Sequence, residues 1–300
     1  AFVGGGIQQY RECKALYNGD DAHAEFLQRS FDDACEICLK LELDMVRTSY
    51  WRMQRKPSKL IDEYTMVFGD PEKDANWEVW QFDPPSETFM CADRPPRPIP
   101  TIDDLRRHAE NNKANAEKAE PTPDSFPDHK RALERFGATH AIPGTGVSCS
   151  IPRDPWWLEA TVLAPDVVAT HLDYFAIMGP KNARAMARMG LPYCFGGGDF
   201  CGKGGPLYSP KVFHDLMLPR LQIISEGCKA AGVHHLFATD GNVWPVADDL
   251  MGASGITGFY ELDRQYMPMQ DVHAKFPHLT LLGGIRSEVL HIGTVDDCIE

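Results

Sequence analysis

"SPKVFHDLMLPRLQIISEGCKAAGVHHLFATDGN", residues 209–242, holds the fold in one helix and one strand. Ser209 followed by Pro210 opens a helix, because the serine hydroxyl caps free N–H groups and proline presets the first helical φ. Val212, Phe213, Leu216, Leu221, Ile224 and Cys228 recur at helical spacing on one face, and Gly232 is a stop. The next residues are mostly apolar and do not alternate before the polar turn Asp240-Gly241-Asn242. A continuous apolar strand after an amphipathic helix is one half-turn of a parallel sheet covered by helices.

The same grammar recurs along the chain. "LELDMVRTSYW" (41–51), "GATHAIPGTG" (137–146), "GLPYCFGGGD" (190–199), "GITGFYELD" (255–263) and "PHLTLLGGI" (277–285) are five further candidate strands. "AFVGGG" reads as the end of another, and a helix begun near Asp296 would lead to the last. The expected fold is therefore α/β, a (β/α)8 TIM barrel forming one domain over residues 1–300 and cut from a longer parent at both ends. A doubly wound open sheet is the alternative, but no Gly-x-Gly-x-x-Gly stands at a strand-to-helix turn.

Residues 52–136 break the rhythm. "DEYTMVFGDPEKDANWEVWQF" reads as a hairpin, "CADRPPRPIP" as an extended proline segment, and "TIDDLRRHAENNKANAEKAE" as a polar helix capped by Thr101. The expectation is an insertion after the second strand that forms part of the barrel mouth.

Composition narrows the functions. A formal charge of −13 argues against nucleic acid, whose phosphates need surplus Lys and Arg. No run of eighteen apolar residues exists, so no membrane span is expected, and no signal peptide is visible. Nine cysteines, an odd number without zinc-finger spacing, point to reduced thiols in the cytoplasm. Cys35 and Cys38 form the one Cys-x-x-Cys, on a helical pattern where they read as packed side chains.

In a barrel the chemistry stands at the carboxyl ends of strands. Those ends supply Tyr50, Trp51, Asp199, Lys203, Asp240, Asn242, Glu261, Asp263 and Arg286. "GGGDFCGKGG" (196–205) has Gly204 where a phosphate loop needs Ser or Thr, so its glycines read as room for a ligand or for a tight turn. His234 and His235 face opposite ways on a strand, and the inward one reads as a hydrogen-bonded core group.

The segments "GGGDFCGKGGPLYSPKVFHDLMLPRL", "HHLFATDGNVWPVADDLMGASGITGFYELD" and "PHLTLLGGIRSEVLHIGT" together resemble the uroporphyrinogen decarboxylase superfamily, over about residues 155–300. That superfamily joins a haem-pathway decarboxylase to cobalamin-dependent methyltransferases, all (β/α)8 barrels. The resemblance implies zinc ligands at positions held here by Ala238, Asp240 and His291. Asp240 and His291 are thus the candidate ligands for zinc or another divalent metal, with Asp199 or Glu261 helping. The decarboxylase branch holds its substrate with an arginine-rich N-terminal segment, where only Arg11 stands here.

The resemblance implies methyl transfer from a small methylated metabolite to a corrinoid carried by a partner protein. Asp199, Asp240 and Glu261 would be the acid–base or orienting groups. Tyr50, Trp244 and Tyr260 would wall a cationic methyl donor, with Lys203, Asn242 and Arg286 as further substrate contacts. Decarboxylation of uroporphyrinogen or a related carboxylate is the second expectation. A non-catalytic barrel binding a corrinoid or tetrapyrrole is the third.

Overall fold

A computed structural model describes residues 5–47, 52–284, 289, 292–294 and 296. The chain divides into two compact units, Ala1–Pro98 with Pro127–Ile142, and Ile99–Phe126 with Pro143–Glu300.

The first unit opens with α1 (Gly5–Asn18) and α2 (Asp20–Lys40). Gly5 and Gly6, expected at the end of a strand, open α1 instead. A Cβ on Gly6 would strike the Glu87 carbonyl oxygen, so the bare glycine lets the helix start lie against the backbone leading into the last strand of the sheet that follows. A four-stranded antiparallel sheet follows in the order β1 (Lys59–Leu60), β2 (Thr65–Phe68), β3 (Glu78–Asp83), β4 (Thr88–Asp93). The expected hairpin is β2–β3, with Thr65 opposite Gln81 and Phe68 opposite Glu78. Part of the segment expected to be extended pairs as β4. Tyr10 of α1 stacks on Phe82 at 4.4 Å and meets Phe89 edge-on at 5.9 Å, in a core with Cys13, Met66 and Phe68. Cys35 and Cys38 are buried on α2, where the Cys38 thiol donates to the carbonyls of Leu43 and Met45. α4 (Pro127–Phe136) completes this unit, with Met45 bridged in parallel to Ala141.

The second unit is α/β. α3 (Ile102–Lys118) packs on α6 (Pro165–Arg188), preceded by α5 (Pro155–Leu163). Thr101 caps α3 as expected: its hydroxyl accepts from the Asp104 N–H, and the Asp104 carboxylate accepts from the Thr101 N–H. The parallel sheet runs β5 (Tyr193–Gly197), β8 (His234–Ala238), β9 (Gly258–Leu262), β10 (Thr280–Gly283), side by side in chain order. Between β5 and β8 lie a small hairpin, β6 (Cys201–Gly202) with β7 (Gly205–Pro206), and then a helical run. The candidate strand 137–146 contributes only isolated bridges, among them Gly144 to Cys194. Pro143 has no N–H to give a ladder there.

The helical run is α7 (Pro210–Val212), a π-helical turn at Phe213–Met217, and α8 (Leu218–Ala230). Ser209 caps it, its hydroxyl accepting from the Val212 N–H at 3.2 Å. Phe213, Met217, Leu221, Ile224 and Cys228 are fully buried, whereas Val212 and Leu216 are only half-buried. The wider π turn rotates Met217 inward in place of Leu216, a shift that a uniform 3.6-residue period does not anticipate. Gly227 lies so close to α6 that a Cβ there would stand 2.5 Å from Pro180, so α8 seats directly on α6.

Candidate functional site

The strands β5, β8 and β9 are parallel, so their carboxyl ends share one edge of the sheet. Asp199 stands two residues beyond β5, Asp240 two beyond β8, and Asp263 directly after β9. Their charges meet. The Asp240 side chain is exposed to solvent at the rim; partial desolvation there, and then the negative charges of Asp199 and Asp263, push its carboxyl above the ordinary aspartate range. Arg153, in the loop before α5, opposes that rise. It also pairs with Asp199 at 2.8 Å, both side chains being largely exposed.

Two backbone devices hold this rim. Thr239 is buried, and its hydroxyl accepts the N–H groups of Phe200 at 3.1 Å and Cys201 at 3.3 Å. The Asn242 N–H donates to the Gly202 carbonyl at 2.9 Å. Gly241 sits at φ 81°, and a Cβ there would lie 2.5 Å from the Gly202 oxygen. The β6–β7 hairpin is therefore laid directly on the Asp240–Asn242 turn. The glycines of "GGGDFCGKGG" serve close backbone approach: a Cβ on Gly196 or Gly198 would strike the carbonyl of Val147 or Cys149.

The structure sorts the expected residues. Asp199 and Asp240 come together. Glu261 is exposed within β9 at φ 61°, an uncommon conformation for a residue with a side chain, and Asp263 is the β9 carboxylate that Asp240 senses. Lys203 is exposed at the tip of the β6–β7 turn. The Asn242 side chain is spent locally, its Oδ1 accepting the Trp244 N–H at 3.2 Å.

The aromatic wall needs correction. Tyr260 is buried, stacks on Phe195 at 4.3 Å, and donates its hydroxyl to the Gly196 carbonyl at 2.7 Å. It packs across the sheet because Ala238, its neighbour on β8, is too small to fill that face. Trp244 is half-buried; its indole N–H donates to the Tyr266 carbonyl at 3.0 Å, and the Lys275 ammonium lies 5.8 Å from its ring. Tyr50, Arg286 and His291 lie outside the described residues.

A zinc site of the implied kind needs three protein ligands. Ala238 offers none, and among the described residues no three His, Cys, Asp or Glu side chains are grouped to hold a metal ion. Asp240 is the one implied ligand among the described residues, and His291 lies outside them. Of the two adjacent histidines, His235 is the inward, core one: Nδ1 accepts from the Ser225 hydroxyl at 2.9 Å, and Nε2–H donates to the Val147 carbonyl at 3.1 Å.

Arg153 and Thr239 escape a reading by motif. Arg153 stands in a loop far from the strands it serves, and Thr239 looks like one more β-former. Thr239 alone leaves a trace, being a hydroxyl between an apolar strand and an Asp-Gly-Asn turn. No helix among the described residues is long and apolar enough to cross a membrane.

No protein family matches the sequence, and no curated protein matches it. Among solved structures, a methyltransferase from Methanosarcina mazei is similar at 17% identity and a TM-score of 0.41, covering 52% of this chain. The similarity spans 46% of the length of that methyltransferase.

Proposed function

We propose that the chain is a cytoplasmic (β/α)8-barrel enzyme of the uroporphyrinogen decarboxylase superfamily. It transfers a methyl group from a small methylated metabolite to a corrinoid carried by a partner protein. Three motif segments between residues 195 and 294 support the kinship. Strands laid side by side in chain order support the barrel, since successive β/α units place each strand beside the last.

One observation carries the chemistry: the Asp240 carboxyl at the carboxyl edge of the sheet, with Asp199, Asp263 and Arg153 around it. A methyl group departs from nitrogen, oxygen or sulfur more easily when the atom left behind takes up a proton. Asp240, which keeps its proton to higher pH than an isolated aspartate, is suited to supply it. Asp199 and Asp263 make the rim negative, which stabilises the donor as the cation it becomes on taking up that proton, and Arg153 orients Asp199.

The test is methyl transfer from a panel of methylated amines, alcohols and thioethers to free corrinoid, followed by the corrinoid's visible absorbance. Asp240→Ala is expected to lower turnover by roughly 10²-fold or more, the usual contribution of a positioned acid. Unchanged turnover in that variant overturns the assignment.

A further inference from the structure

Between Asp199 and Asp240 lies one buried hydroxyl. Thr239 immediately precedes Asp240, and both N–H groups that its Oγ1 accepts belong to the residues that follow Asp199. The same hydroxyl is directed at the Asp240 carbonyl, 3.5 Å away. Phe200 and Cys201 are buried, where an N–H left without an acceptor is costly. The chain passes from this hydroxyl into the β6–β7 hairpin, which docks on the Asp240–Asn242 turn through the Gly202 carbonyl.

We propose that Thr239 is a positioning residue: its buried hydroxyl pins the backbone after Asp199 to the end of β8, and so fixes the two rim carboxylates and the hairpin bearing Lys203 relative to one another. The role rests on the proposed function for its purpose, because only a working rim needs these carboxylates in register. Its geometry is independent of which reaction runs there. Valine has the shape of threonine but no hydroxyl, so it removes the two accepted bonds together with the hydroxyl's contacts to the Asp240 carbonyl and the Cys201 thiol, while keeping the volume. Serine keeps the oxygen and loses only a methyl.

The experiment compares Thr239→Val and Thr239→Ser with wild type by side-chain carboxyl ¹³C NMR at one fixed pH. Asp199→Asn and Asp240→Asn assign the two resonances. Thr239→Val is expected to move both resonances and to expose the Phe200 and Cys201 amides to hydrogen exchange, while Thr239→Ser keeps the wild-type spectrum. A folded Thr239→Val protein whose Asp199 and Asp240 signals stay in place overturns the proposal and leaves Thr239 as a backbone cap. If Thr239→Val does not fold, Gly241→Ala tests the same junction from the other side, since its methyl would press on the Gly202 carbonyl. Unmoved carboxyl signals in that variant overturn the proposal equally. Failure here leaves methyl transfer standing, whereas undiminished turnover in Asp240→Ala removes the reaction and leaves the positioning intact.

Discussion

Acidification from pH 7.5 to 5.0 should strip stability from the second unit through two histidines. His235 is buried between Ser225 and the Val147 carbonyl, and His171 packs against Trp157 and Phe175 at ring distances of 4.6 and 5.5 Å. The His171 Nε2–H donates to the Ser150 carbonyl at 3.2 Å. Burial pushes each ring from 6.5 down to about 4, because a charged imidazolium loses its water there. As pH falls below 6.5 the unfolded chain takes up protons that the folded rings still refuse. Stability is therefore full above the unfolded value, is lost between 6.5 and about 4, and levels off below. At pH 5.0 the loss is roughly 2 kcal/mol for each ring, rising to about 3 kcal/mol near pH 4. Urea unfolding followed by far-UV circular dichroism measures it, as the difference between the two pH values. His235→Gln lowers stability at pH 7.5 but should roughly halve the loss on acidification. Equal stability of the wild type at pH 7.5 and 5.0, or an undiminished loss in the double variant His171→Gln with His235→Gln, would refute the reasoning.

Two further substitutions probe buried polar groups with opposite expectations. Glu12 is fully buried, its Oε1 accepting from the Arg52 guanidinium and its Oε2 from the Met53 N–H at 2.8 Å. Glu12→Ala takes the buried acceptor from the half-buried Arg52 guanidinium and from the Met53 N–H and should cost the first unit about 3 kcal/mol, read as a lower urea midpoint; a loss below about 1 kcal/mol contradicts this. The Tyr208 hydroxyl is buried and has no hydrogen-bond partner among the described residues. Tyr208→Phe should therefore leave the thermal midpoint unchanged or raise it, by up to about 1 kcal/mol of stability, and a clear fall means that the hydroxyl is engaged.

Local chemistry was legible without coordinates wherever one residue decides one bond. Thr101 and Asp104 cap α3, Ser209 caps α7, and alternation along β2 and β3 predicts their pairing. Continuous apolar runs predict β5, β8, β9 and β10 as parallel strands; the first three are largely buried, whereas β10 at the end of the described sheet is partly exposed. The same argument makes one of His234 and His235 a core group, which the structure shows to be His235, and puts Asp199 and Asp240 at strand ends.

What only tertiary structure decided is which strand-end groups meet and which are consumed by packing. Arg153 reaches Asp199 from 46 residues away, and no local pattern encodes a partner at that distance. Glu261 and Asp263 look interchangeable on paper, yet Glu261 stands in left-handed backbone within β9 while the Asp263 charge is felt at Asp240. Tyr260 reads as a mouth residue until the small Ala238 beside it opens the space that draws its ring into the sheet. A sequence sets each residue's own preference for water, backbone angle and bonding partner. Contact between distant carboxylates follows from strand register and helix seating, which are settled by the whole chain's packing at once.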